Sequence, residues 1–364
     1  MEECIYFGEV TYSRLDQKTE HAVLPSFLVV CFLFLGRTPG GGVMRRLLCL
    51  AIVCSMAAPV SAVTLDGSTA GDGYTLAATQ TLQTQFGDAN PNGGSELDAA
   101  WAQVSGGTLY LTLTGNLENN FNKLNIFIDS IAGGENVITN NTGNGGNNPS
   151  NDGWAASYAG FTFDPGFAAD FLMINRNGNF NGDRFDFDFN SVGNTSVVES
   201  SLDIFAGSQQ GSNASVGASG IGVAFNNTNT AGVTGGSAAL DAAGIAAAQA
   251  VQTGLELAIP LSAIGNPGLG DCIKISAMIN NGDQNYLSNQ FLGGLIGPPP
   301  SGDQGNLGGD GAGTFTGTVG QINLTSTYAD GLQHFEVCIV PEPASIALVG
   351  LAMFGLVLGR GRKS

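Results

Sequence analysis

The sequence predicts an all-β fold, a two-layer antiparallel β-sandwich of jelly-roll type, followed by a single C-terminal transmembrane helix. Three observations predict the sandwich. Apolar and polar residues alternate with period two in many short segments, as half-buried strands require. Turns rich in Gly and Asn part these segments, in a chain with 55 Gly among its 364 residues. No strand–helix–strand rhythm of a parallel sheet appears, and no internal repeat of fixed period.

The alternation is cleanest over residues 108–114, 123–129, 184–189 and 255–259, and it predicts strands there. Residues 171–175, 221–225, 272–279, 321–324 and 335–339 are further strands on the same pattern. The alanine-rich stretch 238–251 reads as one surface helix or as a small-residue loop, and 260–265 as a strand end running into one helical turn. Residues 140–152 and 293–313 read as loops, the second carrying Pro298, Pro299 and Pro300.

Charge narrows the partners. The chain has 12 Lys and Arg against 30 Asp and Glu, a net charge of −18. Residues 63–340 hold four basic residues (Lys123, Arg176, Arg184, Lys274) against 24 acidic ones, leaving −20. Such a surface repels phosphate backbones and anionic membrane surfaces, so nucleic acid is not a partner. Divalent cations and neutral polymers remain. A hydrophobic content of 43% excludes a wholly disordered chain.

The two ends read as addresses. Met44-Arg45-Arg46 is a basic opening, residues 47–58 are apolar, and Val60-Ser61-Ala62 brings small residues to a cleavage point after Ala62. This is the pattern of a signal peptide over 44–62, cut by signal peptidase. Residues 1–43 are then an extension from a start codon placed too early; the other reading is a membrane anchor at 22–35, short of the roughly 20 apolar residues a span takes. The exported domain is 63–339. After it come Val340-Pro341-Glu342-Pro343, an almost wholly apolar run over 344–358, and the basic residues Arg360, Arg362 and Lys363.

That last order resembles the PEP-CTERM sorting signal recognised by exosortases, over 340–364. The resemblance implies an exported protein, held briefly in the inner membrane by a helix over 344–358 and then passed to the cell surface or extracellular matrix. Its partners would be signal peptidase and an exosortase-type enzyme. The basic end stays cytoplasmic by the positive-inside rule, and 15 apolar residues suit a transient anchor; the other reading is an ordinary C-terminal anchor.

A second resemblance lies in the exported domain. Residues 96–101 (ELDAAW), 109–118 (LYLTLTGNLE), 122–129 (NKLNIFID) and 254–265 (GLELAIPLSAIG) resemble DOMON-like and family-9 carbohydrate-binding-module-like sandwiches. Members bind sugars, haem or unknown ligands, so the resemblance implies the sandwich and a non-catalytic task, carbohydrate or exopolysaccharide association. The alternative is a calcium-stabilised structural or adhesive surface protein without a sugar site.

Candidate sites are few. Cys272 and Cys338 are the two cysteines of the exported domain, and in an oxidising compartment they form a disulfide or stay as buried thiols. His334 is the domain's one histidine, too little for a Ser-His-Asp or zinc constellation, and it reads as a satisfied strand residue. Asp183, Asp186 and Asp188 stand among several Asn, and oxygen donors at alternate positions suit calcium as a cofactor. The competing reading is a solvated polar strand face backed by Phe185, Phe187 and Phe189. Nothing singles out two carboxylates as a glycosidase pair. Trp101, Trp154 and Tyr158 make either a sugar-stacking platform or part of the core.

Overall fold

The computed structural model describes residues 28–37, 43–52, 62–84, 86, 94–139, 153–194, 196–205, 213–295, 305–325 and 332–341. The chain divides into two units, Val60–Glu342 and the two ends, Met1–Pro59 with Pro343–Ser364. In the unit of the ends, the described residues form one antiparallel hairpin of β1 (Leu28–Arg37) and β2 (Val43–Ile52). Residues 53–61 and 342–364 lie outside the described residues, and with them Glu342, Pro343, Arg360, Arg362, Lys363 and the helix expected at 344–358. Among the described residues no helix is long and apolar enough to cross a membrane.

The unit Val60–Glu342 is built on two antiparallel sheets. In spatial order the first holds β10 (Asn213–Val216), β11 (Gly222–Phe225), β12 (Gly254–Pro260), β5 (Thr108–Asn116), β4 (Glu96–Ser105) and β3 (Thr75–Thr79). The second runs β14 (Leu287–Leu292), β13 (Cys272–Asn280), β6 (Lys123–Asp129), β7 (Phe171–Asn179), β8 (Asp183–Ser191) and β9 (Ser196–Ser201). On the edge of β13 away from β6, β15 (Phe335–Cys338) pairs along 272–275 and β14 along 277–280. The chain lays down three strands in the first sheet, four in the second and three more in the first before returning to β13. These are meanders joined by crossovers, not the strand order of the jelly roll expected.

Period two explains the core. Leu109, Leu111 and Leu113 on β5, Leu255, Leu257 and Ile259 on β12, and Phe185, Phe187 and Phe189 on β8 all enter the cluster between the sheets. Their neighbours Glu256, Asp186 and Asp188 therefore point to the outer faces. The second sheet has a further core on its outer face, where Phe127, Leu172, Ile174 and Met278 meet the short helix α1 (Trp154–Tyr158) and Phe161, Phe163 and Phe167. Tyr158, Phe127, Phe161 and Phe163 pack edge-to-face with centroids 4.9–5.3 Å apart.

All but one of the alternating segments are strands, with ends shifted by a few residues. Residues 321–324 are not; Asn323 makes a single bridge to Thr162. The alanine-rich stretch contains α2 (Ala242–Ala250), capped by Asp241, whose side chain accepts from the Gly244 amide. Cys272 and Cys338 stand directly opposite each other in the β13–β15 register and are joined in a disulfide. The two-thiol alternative falls. Closing a separation of 66 residues contributes roughly 3–4 kcal/mol in the chain-entropy account.

Candidate functional site: an aromatic and amide-lined cleft

Loops gather where β5 ends, β6 starts and the β13–β14 hairpin turns. They line an open cleft of about 520 Å³, bordered by Phe86, Gly94, Glu118, Asn120, Asn122, Asn281, Tyr286 and Phe315. The rings of Phe86 and Tyr286 lie near-parallel, 22° apart with centroids at 6.2 Å. Phe315 stands 64% exposed on a loop tip. A concave site with apolar rings and a few placed polar groups is the usual form of a small-ligand site.

The polar groups are held in place by the fold. The β5–β6 crossover is tied through Leu117, whose amide donates to Asn227 Oδ1 (3.0 Å) and whose carbonyl accepts from Asn177 Nδ2 (2.8 Å). Glu118 N donates to Ser95 Oγ at 3.1 Å, Asn122 Nδ2 to the same oxygen at 3.3 Å, and Asn122 N to Asn120 Oδ1 at 2.9 Å. Asn281 Oδ1 accepts from the amides of Asn285 (3.0 Å) and Tyr286 (3.1 Å), which shapes the hairpin turn. Beneath the two loops the Lys123 ammonium donates to the carbonyls of Phe121 and Gly282. Partial burial pushes the Glu118 carboxyl up, and a hydrogen bond from Asn120 opposes it.

Backbone strain marks the same place. Among the described residues six non-glycines have positive φ. Asn181, Asn266 and Asp203 are of types that tolerate this region. The other three are Phe86 (78°), Phe121 (67°) and Gln284 (57°), and all belong to the cleft loops. Phe121 is wedged on Gly178, where an added Cβ would come within 2.3 Å of the ring, and the Arg184 guanidinium lies 5.3 Å above it. Bulky residues keep such conformations only where the surroundings over-determine them, and these positions cluster at binding sites.

Sequence reasoning missed these residues. The aromatic platform it named is corrected in part: Trp154 and Tyr158 are fully buried in the second core and offer no surface. The Tyr158 hydroxyl accepts from Asn125 and Asn280, each at 2.9 Å, and burial pushes its pKa up. Trp101 is half-buried on the outer face of the first sheet, away from the cleft loops. A residue pattern that could have found Phe86 is its place just ahead of the turn-rich run 87–94 (GDANPNGG).

The aspartates expected to face solvent are also relocated. Asp186 and Asp188 are fully buried. Arg176 Nη1 meets Asp188 Oδ2 at 2.6 Å, Arg176 Nε meets Asp186 Oδ2 at 3.4 Å, and Arg184 Nη2 reaches the same oxygen at 2.6 Å. Asp183 is exposed and accepts from Asn119 and Asn179. A calcium ion at Asp186 and Asp188 would have to displace two guanidinium groups. Cys272, Glu336 and Cys338 are the one close group of three donor types among the described residues, but disulfide sulfurs have no thiolate to give. His334 sits just ahead of β15, with Nδ1 3.0 Å from Asp164 Oδ2.

A buried acid pair on β4 was also unforeseen. Glu96 and Asp98 are fully buried. Asp98 Oδ1 and Glu96 Oε1 both lie within 2.4 Å of the point where a Cβ on Gly232 would stand. Asp98 Oδ1 accepts from the Val233 amide at 2.9 Å. Burial above all, then the neighbouring Glu96, holds the Asp98 carboxyl well above the usual range.

The Ile339 amide donates to the Asp271 carbonyl at 2.9 Å, while Val340 is 68% exposed. Residues 340–363 match the PEP-CTERM protein-sorting motif. The match makes the chain an exported protein carrying the sorting signal of an exosortase-type enzyme. Among curated proteins and among solved structures, none matches the chain. The resemblance to DOMON-like and family-9 binding-module sandwiches thus rests on its residues alone.

Proposed function

We propose that the exported sandwich is a non-catalytic, glycan-associating protein of the cell surface or extracellular matrix, with the cleft as its binding site. The observation that carries this is the pairing of three aromatic rings, Phe86, Tyr286 and Phe315, with the amides of Asn120, Asn122 and Asn281. A sugar presents C–H faces that stack on rings, and an equatorial belt of hydroxyls that amides and carboxylates bind. Delivery follows from the two ends. Signal peptidase cuts after Ala62, the apolar run 344–358 anchors the chain in the inner membrane with Arg360, Arg362 and Lys363 inside, and exosortase processing releases it outward.

Glycan-array binding of the purified protein tests the reading. Phe315 is exposed, so Phe315→Ala should leave the melting temperature unchanged and weaken the retained glycan about tenfold, as losing one ring of a stack does. A parent protein that retains no glycan, or a variant that binds as well as the parent, rejects the cleft as a sugar site.

A further inference from the structure

We infer that the cleft selects glycans rich in hydrogen-bond donors, neutral or amino-bearing, and rejects those carrying uronate, sulfate or phosphate, with Glu118 as the specificity-determining residue. The inference rests on the reading of the cleft as a glycan site and names the class it takes.

Among the described residues the lining holds one charged side chain, Glu118, and no Lys, Arg or His. Each amide group around it already makes a hydrogen bond within the protein: Asn281 Nδ2 donates to Asn285 Oδ1 at 2.7 Å, Asn122 Nδ2 donates to Ser95 Oγ, and Asn120 serves both Glu118 and the Asn122 amide. The one N–H that each amide keeps is a neutral donor, whereas the charged group of the lining is an acceptor, a carboxylate with about four lone-pair sites. Hydroxyl and ammonium groups fit that demand; an anionic sugar does not.

The wider field acts in the same direction. Each of the four basic residues of segment 63–340 is already paired: buried Arg176 with Asp186 and Asp188, partly exposed Arg184 with Asp186, partly exposed Lys274 3.7 Å from Asp129, and Lys123 with the two carbonyls beneath the cleft. Lys123 lies beneath the cleft loops, but it is buried and its ammonium donates to the carbonyls of Phe121 and Gly282. With −20 on the segment, a polyanion meets repulsion on approach and no cation on arrival.

Calorimetric titration of the purified protein with three equal-length oligomers, of glucose, glucosamine and a uronic acid, tests this at low salt. The glucosamine oligomer should bind about tenfold more tightly than the glucose oligomer, the scale of one hydrogen bond to a charged group. The uronate oligomer should bind at least tenfold more weakly than glucose. Glu118→Gln keeps the shape, so it should bring all three affinities to within about threefold of one another, while Phe315→Ala weakens glucose and glucosamine alike. A uronate oligomer that binds as tightly as glucose, or a Glu118→Gln protein with the parental ranking, overturns the specificity. If none of the three binds and the array is blank, the glycan reading itself falls.

Discussion

Each sheet carries a pair of buried carboxylates on its outer face, and the two pairs are accommodated by opposite means. On β8, Asp186 and Asp188 are met by Arg176 from the neighbouring β7 and by Arg184. On β4, the groups acting on Asp98 are Glu96 and the Val233 amide, and none of them is a cation. In the first pair guanidinium donors take the place of the water that the carboxylates leave. In the second, burial and the adjacent Glu96 favour the protonated form of Asp98, since two neighbouring anions are costly in a dry site. With four basic residues in the domain there are too few cations for every buried acid. A third solution is Glu256, which accepts from the Tyr74 hydroxyl at 2.5 Å and from the Asp66 and Gly67 amides at 2.8 Å each.

The contrast is breakable by mutation. Arg176→Ala should have the largest effect, a loss of about 3–5 kcal/mol in denaturant unfolding, because it takes the guanidinium from buried Asp188 and leaves Asp186 with Arg184 as its one arginine. Survival of full stability would mean that the arginine lattice is not what holds that face. On the same sheet, Cys338→Ala should cost roughly 3–4 kcal/mol, measured against the parent with and without reductant. Equal stability in both states would remove the disulfide as a contributor.

Asp98→Asn sharpens the comparison from the other side. A carboxyl whose folded pKa is raised contributes stability that is complete below its ordinary value of 3.8. That contribution is lost as pH rises through the raised folded value. The parent should therefore lose stability from mildly acid toward alkaline pH. Asparagine mimics the protonated acid and keeps the acceptor for Val233, so the variant should match the parent at low pH. At pH 8 it should melt higher, by roughly 2–4 °C for each kcal/mol relieved. An unchanged pH profile would show that Glu96 and Asp98 do not share a proton.

The smallest effect concerns calcium. Millimolar calcium against chelator should move the melting temperature by less than about 1 °C, since a ligand stabilises only through a site open in the folded state and the arginines occupy that of Asp186 and Asp188. A rise of several degrees would restore the calcium-stabilised alternative.

The legible parts of the fold were those with strong period-two contrast. Residues 184–189 (RFDFDF) and 108–114 (TLYLTLT) declare a strand and its inward face without help. β9 (SVVESS) and β14 (LSNQFL) lack that contrast, because β9 is an edge strand and β14 is buried on both faces. The cleft was illegible for a different reason. Phe86, Glu118, Tyr286 and Phe315 come from four loops spread over some 230 residues of chain, and no spacing links them.

By itself the sequence determined the sorting motif at 340–363, the β class, the inward faces of the main strands and the pair of cysteines able to bond. Each of these is a local or compositional property, set by chain periodicity, terminal charge or a short ordered motif. Only the tertiary structure decided which aromatics are surface and which are core, and which aspartates meet an arginine. A second core on the outer face of the second sheet takes in Trp154 and Tyr158, and arginines meet Asp186 and Asp188; no residue pattern within a strand reports what later packs on its outer face. Burial then decides chemistry, because the same carboxyl is a solvated anion, half of an ion pair or a shared proton according to what the fold packs against it.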